Sequence, residues 1–178
     1  MTLQGWLTSG LLLCVALTGC SDGKTTSTAP PKALTPMALG NLTAFTKLLG
    51  YVRHFHPSDA VEKVNWDSFA IASVPVAEEA ASPTELASKL EALFRPIAPT
   101  VRVFVSGKKP VDKITRPVGA NQMVVWENVG FGTDTIKQNI YRSKRVFTAI
   151  PASDLPAAFE ADLGSGVSCV VPLALYAT

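Results

Sequence analysis

The sequence predicts an α+β protein, a small N-terminal three-helix bundle followed by a β-rich, mostly antiparallel segment. Two observations carry this. Apolar residues recur at i, i+3 and i+4 up to about residue 99 and alternate with polar ones from residue 100 onward, which is a change from helical to strand periodicity. Pro96 and Pro99 stand at the change and cannot continue a helix.

The chain opens with a targeting segment. Leu7 to Leu17 is a short apolar run, and Leu17-Thr18-Gly19-Cys20 has the form of a lipoprotein signal in which the cysteine is acylated and becomes the new N-terminus. The run breaks into Ser21-Asp22-Gly23-Lys24, too early for the ~20 apolar residues of a membrane-spanning helix. Residues 1–19 are therefore expected to be a signal peptide and Cys20 the lipid anchor. Residues 20–40, rich in Ser, Thr, Pro, Lys and Ala, are expected to be a flexible tether, because that composition buries too little surface to offset the entropy of ordering. The 178 residues less the first 19 leave 159, enough for one real core or two small ones.

The helical part is expected over 41–99. Leu42, Phe45, Leu48, Leu49, Val52 and Phe55 line one face of a first helix starting near Asn41, and Pro57 stops it, so that His56 is where the chain turns. Asn65 can cap a second helix that begins at Trp66, a residue expected to fill the core between the first two helices. Ser82-Pro83-Thr84-Glu85 has the form of a capping box, and Leu86, Leu90, Leu93 and Phe94 form the apolar face behind it. These helices bury little singly and are expected to pack as an antiparallel bundle.

Strands are expected at Val101–Val105, Met123–Trp126 and Lys144–Ile150. Lys108-Lys109-Pro110, Gly130-Phe131-Gly132 and Pro151–Pro156 read as loops. Val167 to Ala177 is the longest apolar run outside the signal, and the β-rich segment 100–178 is expected to be incomplete at its C-terminal end, since independent domains usually finish in polar, frayed residues.

Charge argues against nucleic acid. Residues 20–99 carry seven Lys or Arg against eight Asp or Glu, and residues 100–178 carry nine against six. That imbalance is too small for a nucleic-acid footprint.

The candidate chemistry is sparse. His54 and His56 are the only histidines and flank Phe55. At i, i+2 on a helix they diverge by about 200°, so they do not form half of a zinc site even with Asp59 and Asp67 nearby. The expected role of His56 and Tyr51 is hydrogen bonding around the helix end, with Trp66 packed over the turn. Gly130-Phe131-Gly132 has Thr at 135 where a dinucleotide fingerprint needs Gly, and Gly164-Ser165-Gly166 lacks the spacing of a nucleophile elbow. Cys169, in an apolar run, reads as a small core residue rather than a nucleophile. No catalytic, cofactor-binding or metal-binding residue is expected.

A resemblance rests on the same stretch. Tyr51, Phe55, His56 and Pro57, followed by Trp66 and Asp67, resemble the N-terminal helical region of bacterial tail-specific (C-terminal processing, tricorn-like) serine peptidases, family 41. Phe94 to Thr100 and Gly164 to Tyr176 are similar to the same proteins, so the likeness spans roughly residues 42–176. It implies a non-catalytic N-terminal part of a lipid-anchored peptidase, ending before the domain that carries the serine nucleophile and lysine base. The alternative is a cell-envelope lipoprotein that binds a protein or a glycan. Both place the chain on a membrane through Cys20, facing the periplasm or the exterior, with no cofactor and no nucleic acid.

Overall fold

The computed structural model describes residues 33–111, 115–128, 143–150 and 158–177. Ala33–Thr178 forms one compact unit of mixed α+β structure, whose described residues make three α-helices, a short 3-10 turn at Val61–Lys63 and two small antiparallel sheets.

Helix α1 runs Pro36–Phe55, five residues earlier than the spacing of its apolar face predicts. The reason is local. Thr35 Oγ1 accepts the Ala38 N–H at 3.1 Å and Pro36 occupies the first helical position, so cap and proline together start the helix inside the expected tether. The helix ends as expected: His56 is extended, with ψ 119°, because Pro57 follows. Helix α2, Trp66–Glu78, starts under an Asn65 cap that accepts the Ser68 N–H at 3.0 Å. Helix α3, Pro83–Phe94, has its capping box, with Ser82 Oγ accepting from Glu85 N and Glu85 Oε2 reaching back to the N–H of Ala81.

The strands are β1 Arg102–Val105, β2 Gln122–Asn128, β3 Ser143–Ala149, β4 Ala158–Gly164, β5 Val167–Pro172 and β6 Ala174–Ala177. Strand β4 has no counterpart among the expected strands, although its sequence, AFEADLG, alternates apolar residues with two carboxylates. One sheet has the order β1-β5-β4 and the other β3-β2-β6. The long apolar run divides at Leu173, so that β5 closes the first sheet and β6 joins the second.

The helices do not bury their apolar faces on one another alone. Helix α1 lies across β4 and β5, α3 lies against β1 and β5, and α2 packs on α1 and α3. Leu48, Val52, Leu86, Leu90 and Phe94 thus share one core with Val103, Leu163, Val167, Cys169 and Val171. Phe94 joins the three helices, its ring 6.1 Å from Phe45 and 5.1 Å from Phe69. At the far end the β4–β5 turn passes close to α1: a Cβ on Gly40 would come within 2.5 Å of Ser165 Oγ. Ser165 itself has φ 51° between two glycines of positive φ, the geometry of a tight hairpin turn.

Candidate functional site

Among the described residues, polar groups from several elements converge on the turn His56-Pro57-Ser58 at the end of α1. It is built by a proline that stops the helix and leaves three successive residues with backbone groups to satisfy. The His56 N–H closes on Val52 O at 3.2 Å. The indole Nε1 of Trp126 donates to the His56 carbonyl at 2.8 Å, and Arg145 Nε donates to the Pro57 carbonyl at 2.8 Å. Ser58 Oγ donates to the Ile97 carbonyl, and the Ser58 carbonyl accepts the Val61 N–H.

The imidazole of His56 is fully buried and engaged at both nitrogens. Nδ1 lies 3.4 Å from the Ser58 N–H, and Nε2 lies 2.8 Å from Thr100 Oγ1. An N–H pointing at Nδ1 assigns the proton to Nε2, which then donates to the threonine hydroxyl. Burial pushes the His56 pKa down to about 4, so the ring is neutral at pH 7. A buried base with both nitrogens bonded inside the chain has no lone pair to offer a substrate.

Trp126 and Arg145 are cross-strand partners in β2 and β3, which is why they meet successive carbonyls of one turn. The Arg145 side chain is 13 % exposed and also reaches the carboxylates of Asp59 and Glu62. The turn is therefore a clamp between the helical layer and the second sheet.

The other residues of the motif are dispersed. Tyr51 does not share the His56 network and packs edge-to-face on Phe159, with centroids 5.1 Å apart. Phe55 lies at the rim of the apolar face, 39 % exposed and also against Phe159. Trp66 is half-buried rather than central, T-shaped to Phe69 and with the Arg53 guanidinium 6.0 Å from its ring centroid. It touches α1 through that cation, not over the turn. Asp67 is exposed in the first turn of α2, where it complements the helix dipole. His54 is exposed in the last turn of α1, with a pKa lowered by partial burial and by Arg53. Cys169 is buried, and burial pushes its thiol up to about 12, which removes thiolate character. Cys20 and Gly130-Phe131-Gly132 lie outside the described residues. No group of three or more His, Cys, Asp or Glu among the described residues is placed to hold a metal ion.

Reasoning from sequence missed Thr100, Trp126 and Arg145 as partners of the turn. They are 44, 70 and 88 residues from the groups they bond, and no local pattern marks such pairs.

One open groove lies elsewhere, between the end of α3 and β1, with a volume of about 520 Å³. Arg95, Arg102 and Lys108 line it opposite a single carboxylate, Glu91.

Comparison with protein-family models, with curated proteins and with solved structures finds no match to this chain.

Proposed function

We propose that the chain is a non-catalytic module of the bacterial cell envelope, lipid-anchored through Cys20, of the kind that stands ahead of the catalytic domain in tail-specific serine peptidases of family 41. The observation that carries the non-catalytic reading is the state of His56. Hydrolysing an amide needs an activated nucleophile, a base and an oxyanion site in mutual reach. The one buried histidine instead bonds the Thr100 hydroxyl and the Ser58 N–H, so neither ring nitrogen is free to act as a base. In this reading the helical part, 41–99, and the β-rich part, 100–178, form a single support rather than a site of chemistry.

A second reading, a lipoprotein that binds a protein or peptide, is favoured by the groove between α3 and β1, where cations outnumber carboxylates. The membrane is the other partner in either reading. No helix among the described residues is long and apolar enough to cross it, and the lipid on Cys20 would carry the attachment.

Assaying the purified chain on unfolded protein and on peptides tests the first reading. No cleavage is expected. Cleavage that copurifies with the chain and vanishes on changing one serine to alanine would overturn it. Replacing Cys20 with Ser is expected to abolish lipid labelling and membrane fractionation; persistent membrane association would overturn the anchor.

A further inference from the structure

We propose that the open edge of β1, in the groove against α3, takes an acidic peptide in extended conformation as an additional strand. This rests on reading the chain as a binding module and supplies the chemistry of its partner.

Strand β1 is at the edge of the first sheet and is paired only with β5. Its free side can be read from one hydrogen bond. Val103 N–H donates to Glu91 Oε2 at 3.0 Å and so points away from β5. In an antiparallel ladder the outward groups recur at every second residue, which assigns the outward side to Val103 and Val105. Ser106 N–H turns back to Gly166 O at 2.9 Å, in agreement with that alternation. The Val105 carbonyl is taken by the Lys108 N–H at 2.9 Å. The Val103 carbonyl and the Val105 N–H are left on the open edge, and one residue of a parallel strand can bond both.

Charge selects the class of peptide. Arg102 is already engaged, its Nη1 donating to the carbonyls of Pro99 and Val101. The cations available to a partner are Arg95 and Lys108. The Arg95 side chain is 71 % exposed and only loosely paired with Glu91, at 3.6 Å. Lys108 is exposed and makes no ion pair among the described residues. The Glu91 carboxylate is held by a backbone donor of β1 and covers part of the edge, so a basic peptide would compete with two cations while gaining one shielded anion. A peptide bearing Asp or Glu at alternate positions places its carboxylates along this side and its amides against Val103 and Val105.

The test is titration of the full chain with a blocked Glu-Val repeat octapeptide, a Lys-Val counterpart, an N-methylated Glu-Val version and inorganic phosphate. Saturable binding of the Glu-Val peptide is expected. At least tenfold weaker binding is expected for the Lys-Val and N-methylated peptides, and for phosphate. Arg95→Glu with Lys108→Glu should lose tenfold or more. Val105→Pro removes the outward N–H without touching the β5 ladder, a substitution edge strands tolerate, and should lose a similar factor. The thermal midpoint of each variant keeps misfolding apart from lost binding. Equal binding of the N-methylated peptide would overturn strand addition, as would unchanged binding by Val105→Pro. Equal binding of the Lys-Val peptide or phosphate, or no binding of the Glu-Val peptide, would overturn the proposal as a whole. Cleavage assays read the non-catalytic reading separately, so failure of one leaves the other standing.

Discussion

The two sheets are both three-stranded and antiparallel, yet different forces join them to the helices. The β1-β5-β4 sheet is covered by α1 and α3, and five of the six β5 residues are buried. The β3-β2-β6 sheet meets the helical layer chiefly at the His56-Pro57 turn, where Trp126 and Arg145 donate to adjacent carbonyls, Arg145 pairs with Asp59 and Glu62, and the Trp126 ring packs at the rim of the core. No β3 residue is buried, and Phe147 is 63 % exposed. An apolar interface is non-directional and spreads its stabilisation over many contacts, whereas a polar clamp concentrates it in a few groups that must be aimed. The first sheet should therefore fail together with the helices, and the second should loosen by itself.

The largest effect is expected from Phe94→Ala, which removes a fully buried ring shared by α1, α2 and α3. Loss of ~3–5 kcal/mol in urea unfolding is expected, with helices and first sheet melting together. A loss under about 1 kcal/mol would show that the layers do not share a core.

Acid should act on the clamp. The His56 pKa falls from 6.5 to about 4 on folding, so the neutral ring is the one the fold accepts. Its contribution is complete above the unfolded value and declines as pH falls from 6.5 toward 4, because the unfolded chain then takes up a proton that the folded chain refuses. The loss over that window is about 3 kcal/mol. His56→Gln should flatten that part of the stability profile; an unchanged profile would assign the acid sensitivity to other groups.

Arg145→Met sharpens the contrast between the sheets. It should cost ~1–3 kcal/mol, as for a hydrogen bond from a charged donor. The expected signature is hydrogen exchange that accelerates in β2 and β3 while β5 keeps its protection. Equal acceleration in both sheets would show that the second sheet does not loosen independently of the first.

The smallest effect is at the β4–β5 turn. Gly40→Ala gains about 1 kcal/mol of helix propensity, but its new methyl meets Ser165 Oγ, so the single variant should stay within ~0.5 kcal/mol of the parent. Adding Ser165→Gly removes the obstacle and relieves a positive φ, and the pair should be more stable by about 1 kcal/mol. A pair no more stable than Gly40→Ala alone would mean the turn does not press on α1.

Much of the helical half is legible in the sequence because its determinants are local. Pro57 ends α1, Asn65 caps α2, and Ser82 with Glu85 opens α3, each acting within four residues of itself. Strands β1, β2 and β3 can be read from alternation, and β4 carries the same signal, with Phe159, Ala161 and Leu163 alternating with Glu160 and Asp162, although the pattern is short and easily overlooked beside the longer apolar runs. The division of the terminal run at Leu173 is marked locally only by Pro172, which interrupts a single long strand, and pairing with β1 or with β2 decides which sheet each half joins.

The same boundary runs through the candidate site. The sequence marked His56 and Pro57 as the turning point, because a proline constrains the residue before it. Which partners the turn would take was decided by tertiary structure alone. Trp126 and Arg145 reach the turn from strands 70 and 88 residues away. Thr100 reaches the imidazole because α3 and β1 return the chain to the end of α1. Hydrogen bonds are set by position and direction in space, and chain periodicity encodes those only within a single element.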